Sequence, residues 1–360
     1  MTFAMWFSGV TGRRVKQSIQ ALALLALLIL NGCGTSKETL YVYTWSDYIS
    51  PETVAAFEKK YRCEVIIDTF DCNEAMYAKL RAGNGGNGYD LIFPSTFFIQ
   101  MLVDANMIQP FNLDLLPNVR ANFDARYRSK IYDPSLTLAI PYSIVYTGLA
   151  YNLKHFPDCT PSWSLYLDPR FSQRSTLIGD MRMTLGAALK TLGYSLNSTS
   201  EEELQDACNL VLKWKKQIAR FENEAYKTGL ASDEFKLCMA YSGDIAQVQE
   251  DQPDITFVYP KEGYPCSCDE MCIPTDARHV ELAHRFVDFL YEPEHAAVNI
   301  AYIGFCMPVR AAYPLLPEKY RTNPIFFPSE ADLQRGEPIR HIGPALGLYI
   351  KMWDIIKAKD

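Results

Sequence analysis

Hydrophobic and polar positions along this chain switch repeatedly between a period of two and a period near 3.6. Residues 39–44 alternate, with Leu40 and Val42 on one face, and predict a strand. Ser50-Pro51-Glu52 follows as a helix start, a serine cap with proline in the first turn, and opens a helix over 54–61. Residues 64–68 predict a second strand. Asn73 reads as the cap of a helix carrying Met76, Tyr77 and Leu80, which stops at the glycine-rich 82–88. That run follows a helix and lacks the lysine of a P-loop, so it predicts a turn and not a phosphate cradle. A third strand over 89–93 ends at Pro94-Ser95-Thr96, before a helix over 97–107.

The alternation continues. Residues 138–153 are strand-like with Pro141 inside, which suggests a crossing between two lobes. Residues 175–180 form a strand ending in Asp180, followed by a helix over 185–192. Ser200-Glu201-Glu202-Glu203 is a capping box for a helix reaching about Phe221. Residues 237–241 and 255–259 are strands, 268–274 the return crossing, and 280–290 an amphipathic helix. Strands and helices in alternation place the chain in the α/β class. Two lobes are expected, 39–145 with 268–313 and 146–267 with 314–360.

Composition changes this picture at one end. Arg13, Arg14 and Lys16 precede an apolar run from Ala21 to Leu30, too short to span a bilayer comfortably, as an export signal should be. Leu30-Asn31-Gly32-Cys33 resembles a bacterial lipobox. We therefore read 1–32 as a lipoprotein signal peptide, Cys33 as the lipidated first residue and 33–38 as a polar tether. An ordinary secreted protein or an uncleaved anchor is the alternative. Removal of 1–32 takes three basic residues and no acidic one, so the net charge of −7 becomes −10. An acidic exported protein is a poor nucleic-acid binder and a reasonable host for cations. Ten cysteines become nine once Cys33 carries lipid, an odd number without the spacing of a disulfide framework. Cys266, Cys268 and Cys272 crowd one segment, but their spacing departs from zinc patterns and no metal is expected.

Aromatic residues with carboxylates or hydroxyls recur at the predicted strand ends: Trp45, Ser46, Asp47 and Tyr48; Ser95 and Phe97; Asp180; Tyr241 and Asp244; Asp269. Strand ends are where open α/β sheets bind ligands. Carboxylates gathered in one cleft raise each other's pKa unless a multivalent cation joins them. A linear diamine meets that need: its ammonium ends pair with carboxylates and its methylenes lie on aromatic faces.

Three stretches carry a family likeness: Tyr43-Thr44-Trp45-Ser46-Asp47-Tyr48, Asn73-Glu74-Ala75-Met76-Tyr77-Ala78-Lys79-Leu80 and Tyr89-Asp90-Leu91-Ile92-Phe93-Pro94-Ser95-Thr96. With Ile140-Pro141-Tyr142, Pro260-Lys261-Glu262-Gly263 and Gly304-Phe305, the chain resembles the spermidine/putrescine-binding proteins of bacterial polyamine ABC importers. The resemblance runs from about residue 38 to near the end. It implies a two-lobed periplasmic solute-binding fold with a hinge and a ligand cleft, a polyamine ligand, a membrane permease as partner, a monomer and no cofactor. By position, Trp45 and Tyr48 resemble the aromatic walls, and Ser46, Asp47 and Ser95 the polar contacts of the first lobe. Asp180 resembles a second-lobe carboxylate and Asp269 the main grip on an amine. Asp244 in Tyr-Ser-Gly-Asp matches the putrescine receptors. Tyr241 stands where tryptophan is usual, and Phe305 where tyrosine is.

Met183, Ser267 and Ile339 depart from a glutamate, a tryptophan and a glutamine of the spermidine receptors. Putrescine is therefore ranked ahead of spermidine. The remaining expectations are a hinge near Tyr142 and Asp269 and a closed form favoured by ligand. No catalytic set is evident, since His279 and His284 are five apart and do not share the helix face of an H-E-x-x-H site. Two alternatives stay open: an exported glycosidase-like hydrolase using paired aspartates, and a receptor for another solute such as ferric iron or an anion.

Overall fold

The computed structural model describes residues 37–83 and 85–358; the expected signal peptide and Cys33 lie outside them. Residues from Thr39 onward form one compact unit. Strand β1 (Thr39–Trp45) is flanked by β2 (Glu64–Phe70) and β3 (Leu91–Ile92), all parallel, in the order β2-β1-β3. A central strand is covered on both faces. Leu40 and Val42 are fully buried, and Tyr43 is buried on the other side, stacked on Tyr89. The connecting helices are α1 (Pro51–Tyr61), α2 (Asn73–Ala82) and α3 (Thr96–Asp104).

Four local expectations need correction here. Ser50 stands at the start of α1 but its side chain makes no cap; its amide instead donates to Asn299 Oδ1 at 2.8 Å. Asn73 lies one residue inside α2 and turns its amide to Ser95, because the loop after β3 offers buried polar groups that must be paired. Strand β3 is only two residues long, although the Asp90 and Phe93 amides still donate to the Tyr41 and Tyr43 carbonyls of β1; the Asp90 carboxylate accepts from the backbone amides of Tyr41, Arg278 and His279. Helix α3 stops at Asp104, and Ile108–Gln109 form strand β4.

The second sheet is built on β5 (Ile140–Asn152), the expected crossing, with Pro141 near its start. It also contains β6 (Ser175–Leu177), β7 (Arg220–Phe221), β8 (Leu237–Tyr241), β9 (Ile255–Val258), β10 (Tyr264–Met271) and, after β11 (Ile273–Pro274), β12 (Gly336–Pro338). The order is β12-β10-β5-β8-β6-β7, with β9 also on β5. The first half of β5 pairs antiparallel with β10, from Ile140 opposite Met271 to Tyr146 opposite Cys266. The second half pairs with β8 and β9. Beyond β10 the chain reaches the first sheet through Ile92 and Cys272, while β11 pairs with β4. The two paired strands β5 and β10 thus connect the sheets.

Helices α4 (Met181–Thr191), α5 (Glu201–Lys215), α6 (Tyr226–Ala231) and α7 (Ser242–Asp251) surround the second sheet. Helix α5 ends at Lys215 and not near Phe221, because Phe221 and Arg220 are taken into β7 beside β6. Its capping box is half made: Ser200 accepts from the Glu203 amide, but the Glu203 carboxylate accepts from Ser198. Helices α8 (Val280–Leu290) and α9 (Pro293–Ile303) return to the first sheet, where Phe286 meets Phe57 of α1 edge to face at 4.7 Å. Helix α10 (Leu346–Ala358) closes the chain, its Tyr349 hydroxyl donating to the Leu196 and Ser198 carbonyls.

Candidate functional site

The ends of β1, β3 and β10 meet at one carboxylate, Asp269. Asp269 lies opposite Ser143 of β5 at a register shift between Asp269 and Glu270, and such a bulge re-aims the side chains beside it. Ser95, in the corner after β3, donates to Asp269 Oδ1 at 2.6 Å. Tyr48, in the turn after β1, donates to Oδ2 at 2.5 Å and also meets the Ser143 hydroxyl. Since the single phenolic proton goes to Asp269, Ser143 is the donor to Tyr48. Outer partners hold this arrangement. Asn73 and Ser95 exchange side-chain and backbone bonds at 3.1 and 3.0 Å, and the Tyr142 hydroxyl donates to the Tyr48 carbonyl at 2.7 Å.

Asp269 is only 6% exposed, and burial pushes its carboxyl up to about 6 despite the two hydroxyl donors that pull it down. It therefore carries charge at neutral pH while retaining two of about four lone-pair positions for a further donor. Glu270, on the other side of the strand, is fully buried. Its Oε1 accepts from Thr96 Oγ1 at 2.8 Å and the Tyr132 amide at 2.6 Å, and burial pushes it up to about 8. A neutral Glu270 at pH 7 spares Asp269 an adjacent negative charge.

The second sheet contributes Asp180, Tyr241 and Asp244. Asp180 caps α4, accepting from the Met183 amide at 2.9 Å, and remains half-buried. Burial raises its carboxyl, the amides of α4 lower it, the negative charge of Glu74 on α2 raises it further and the Arg182 guanidinium lowers it. Asp244 sits in the first turn of α7. Burial raises it, the Lys227 ammonium lowers it, and the Tyr226 hydroxyl donates to its Oδ2. Burial pushes the Tyr241 hydroxyl well above its ordinary value, and the charges of Asp180, Asp244 and Asp269 raise it further.

Of the remaining residues named from sequence, Trp45 donates Nε1–H to the Phe93 carbonyl at 3.0 Å and leans on Phe70 at 4.5 Å. Phe305 follows Gly304, whose φ of 76° ends α9, and its ring lies 6.5 Å from that of Tyr48. The same ring is set against Gly243, where a Cβ would come within about 2.5 Å of ring carbons. Ser46 and Asp47 are exposed on the turn, Asp47 with a left-handed φ of 52°, and Phe97 sets its ring edge to face with Phe98. Among the described residues no hydrogen bond or ring contact links these three to Asp269. The sequence reading missed Glu74, Asn73, Ser143, Tyr226, Lys227 and Glu270 as neighbours of the site. Glu270 alone carried a signal, an acid beside Asp269 in an otherwise apolar crossing.

Met183, Ser267 and Ile339 are all buried, at 5%, 4% and 0% exposure, as Asp269 itself is. The two histidines are structural: His284 accepts from the Asn112 amide at 2.8 Å, and His279 meets Asp90. Among the described residues no group of three or more His, Cys, Asp or Glu side chains is arranged to hold a metal ion.

The family model for bacterial extracellular solute-binding proteins matches residues 52–328. The chain belongs to that family. The likeness to individual members spans nearly the whole chain. The chain is 33% identical to the putrescine-binding periplasmic protein SpuD of Pseudomonas aeruginosa, over 90% of this chain and 92% of that protein. It is 29% identical to the spermidine/putrescine-binding periplasmic protein of Escherichia coli, over 96% and 99%. Among solved structures, the TpPotD lipoprotein of Treponema pallidum superposes with a TM-score of 0.82 at 31% identity, covering 89% of this chain and 99% of that one. Membership of this family bears out the expected two-lobed α/β solute-binding fold and the substrate-binding role, and does not favour the hydrolase alternative.

Proposed function

We propose that this chain is the receptor of a polyamine importer, capturing putrescine, and secondarily spermidine, between two lobes and presenting the closed complex to an ABC permease. The lobes in this reading are 39–145 with 268–313 and 146–267 with 314–360, hinged at the paired strands β5 and β10. The chain acts without a chemical step, cofactor or metal, as a monomer, lipidated at Cys33 and anchored in the periplasm.

The observation that carries the reading is Asp269, a buried carboxylate charged near neutrality, with hydroxyl donors on both oxygens and with Asp180 and Asp244 at the strand-to-helix corners of the second sheet. Grouped carboxylates beside aromatic rings favour a cation with separated charges and an apolar middle. Trp45, Tyr48, Tyr241 and Phe305 supply the apolar surface, and the acidic net charge draws cations in. The relatives' names point to the same ligands. The test is calorimetry on mature protein, unfolded and refolded to strip it of ligand, with putrescine and then spermidine. One-to-one binding with putrescine preferred is the expected result. Absence of heat with either ligand, from folded protein, overturns the proposal.

A further inference from the structure

Asp244 already holds a cation supplied by the chain. Helix α6 begins at Tyr226 and presents Tyr226 and Lys227 to the first turn of α7. Lys227 Nζ lies 3.7 Å from Asp244 Oδ1, and the Tyr226 hydroxyl occupies Oδ2 while accepting from the Tyr241 amide at 3.2 Å. Both oxygens of Asp244 therefore have partners. The side chains of Lys227 and Asp244 are 29% and 17% exposed, so salt and water screen this pair less than a surface pair. Among the described residues Lys227 also lies 3.1 Å from Glu224, nearer than Asp244, but that carboxylate is 83% exposed and a pair there contributes little.

The charges around Tyr241 then sort into two kinds. Asp269 is held only by neutral hydroxyls and Asp180 by the amides of α4 with a smaller pull from Arg182, so among the described residues neither makes an ion pair with a cation of the chain. Asp244 with Lys227 is close to neutral. Asp269 and Asp180 are thus open to the two ammonium groups of a diamine. A third ammonium directed at Asp244 must displace Lys227, which would keep only the exposed Glu224 it already contacts at 3.1 Å, giving up the partly buried pair.

We infer that Lys227 sets the polyamine selectivity of this site: by occupying Asp244 it leaves a diamine to be gripped by Asp269 and Asp180, and makes a triamine displace it. This rests on the polyamine reading above and adds a residue that none of the motifs pointed to.

The experiment is calorimetry with putrescine and spermidine on wild type, Lys227→Met, Lys227→Arg and the double variant Lys227→Met/Asp244→Asn, each first checked for a cooperative thermal transition. Lys227→Met is expected to shift the spermidine-to-putrescine affinity ratio toward spermidine by about tenfold, the factor a freed charge-assisted contact supplies. Lys227→Arg retains the charge and should keep the wild-type ratio. Asn at 244 in the Met background should cancel the gain, because the freed carboxylate is its source. An unchanged ratio in Lys227→Met, or a gain that survives Asp244→Asn, overturns the inference while leaving the receptor reading intact. Wild-type protein that binds neither amine overturns both.

Discussion

Lowering the pH should weaken diamine binding through Asp269, and the size of the effect follows from its surroundings. Burial holds the free carboxyl at about 6, and only the ionised form pairs with an ammonium. The bound ammonium favours that ionised form, so the carboxyl pKa falls on binding and a proton is released wherever the free protein held one. At pH 7.5 nearly all molecules are competent; at pH 5 roughly one in ten is, so the apparent affinity falls about tenfold, or ~1.4 kcal/mol. The ligand's own charge does not change over this range, since alkylammonium groups titrate near pH ~10. Asp180 and Asp244 are raised as well, so they steepen the fall and cannot reverse it. Titration calorimetry between pH 7.5 and 5, repeated in buffers of different ionisation enthalpy, reads both the affinity and the proton released. Asp269→Asn should bind at least about tenfold more weakly at pH 7.5 and lose one proton from the pH slope. A wild-type affinity that stays level down to pH 5, or an unaltered slope in the Asn variant, refutes the reasoning.

Three further outcomes are expected. Tyr48→Phe removes the donor at Asp269 Oδ2, so the carboxyl should rise above 6, and the midpoint of the pH-dependent loss of binding should move up with it. Glu270 is raised from 4.5 to about 8, so the folded state holds a proton that the unfolded state has lost, and stability should fall as pH climbs from about 4.5 to 8; urea unfolding should show that slope in wild type and not in Glu270→Gln. Gly243→Ala drives a methyl group into the Phe305 ring, with contacts near 2.5 Å, and should cost ~1–3 kcal/mol in denaturant unfolding together with weaker diamine binding.

Local signals read well where one element decides its own structure. Residues 237–241 and 280–290 take the bounds that their apolar patterns predicted, and β5 is the long crossing inferred around Pro141. Patterns misled where a distant group competed. Asn73 has the chemistry of a cap, but Ser95 offered it two bonds, and Phe221 left a helix-like run for an edge of the second sheet.

The sequence by itself determined the α/β alternation, the recurrence of acids beside aromatic rings at strand ends, and the family that these motifs mark. A helical or strand period is written in neighbouring residues, so a single chain displays it. Tertiary structure alone decided which carboxylate is buried, which is neutral and which is already paired. Asp269 meets Tyr48 across 221 positions and Ser95 across 174. Lys227 and Asp244 come together because α6 and α7 pack at one end of β8. Those charges depend on desolvation and on distances of a few ångströms, which spacing along the chain does not encode.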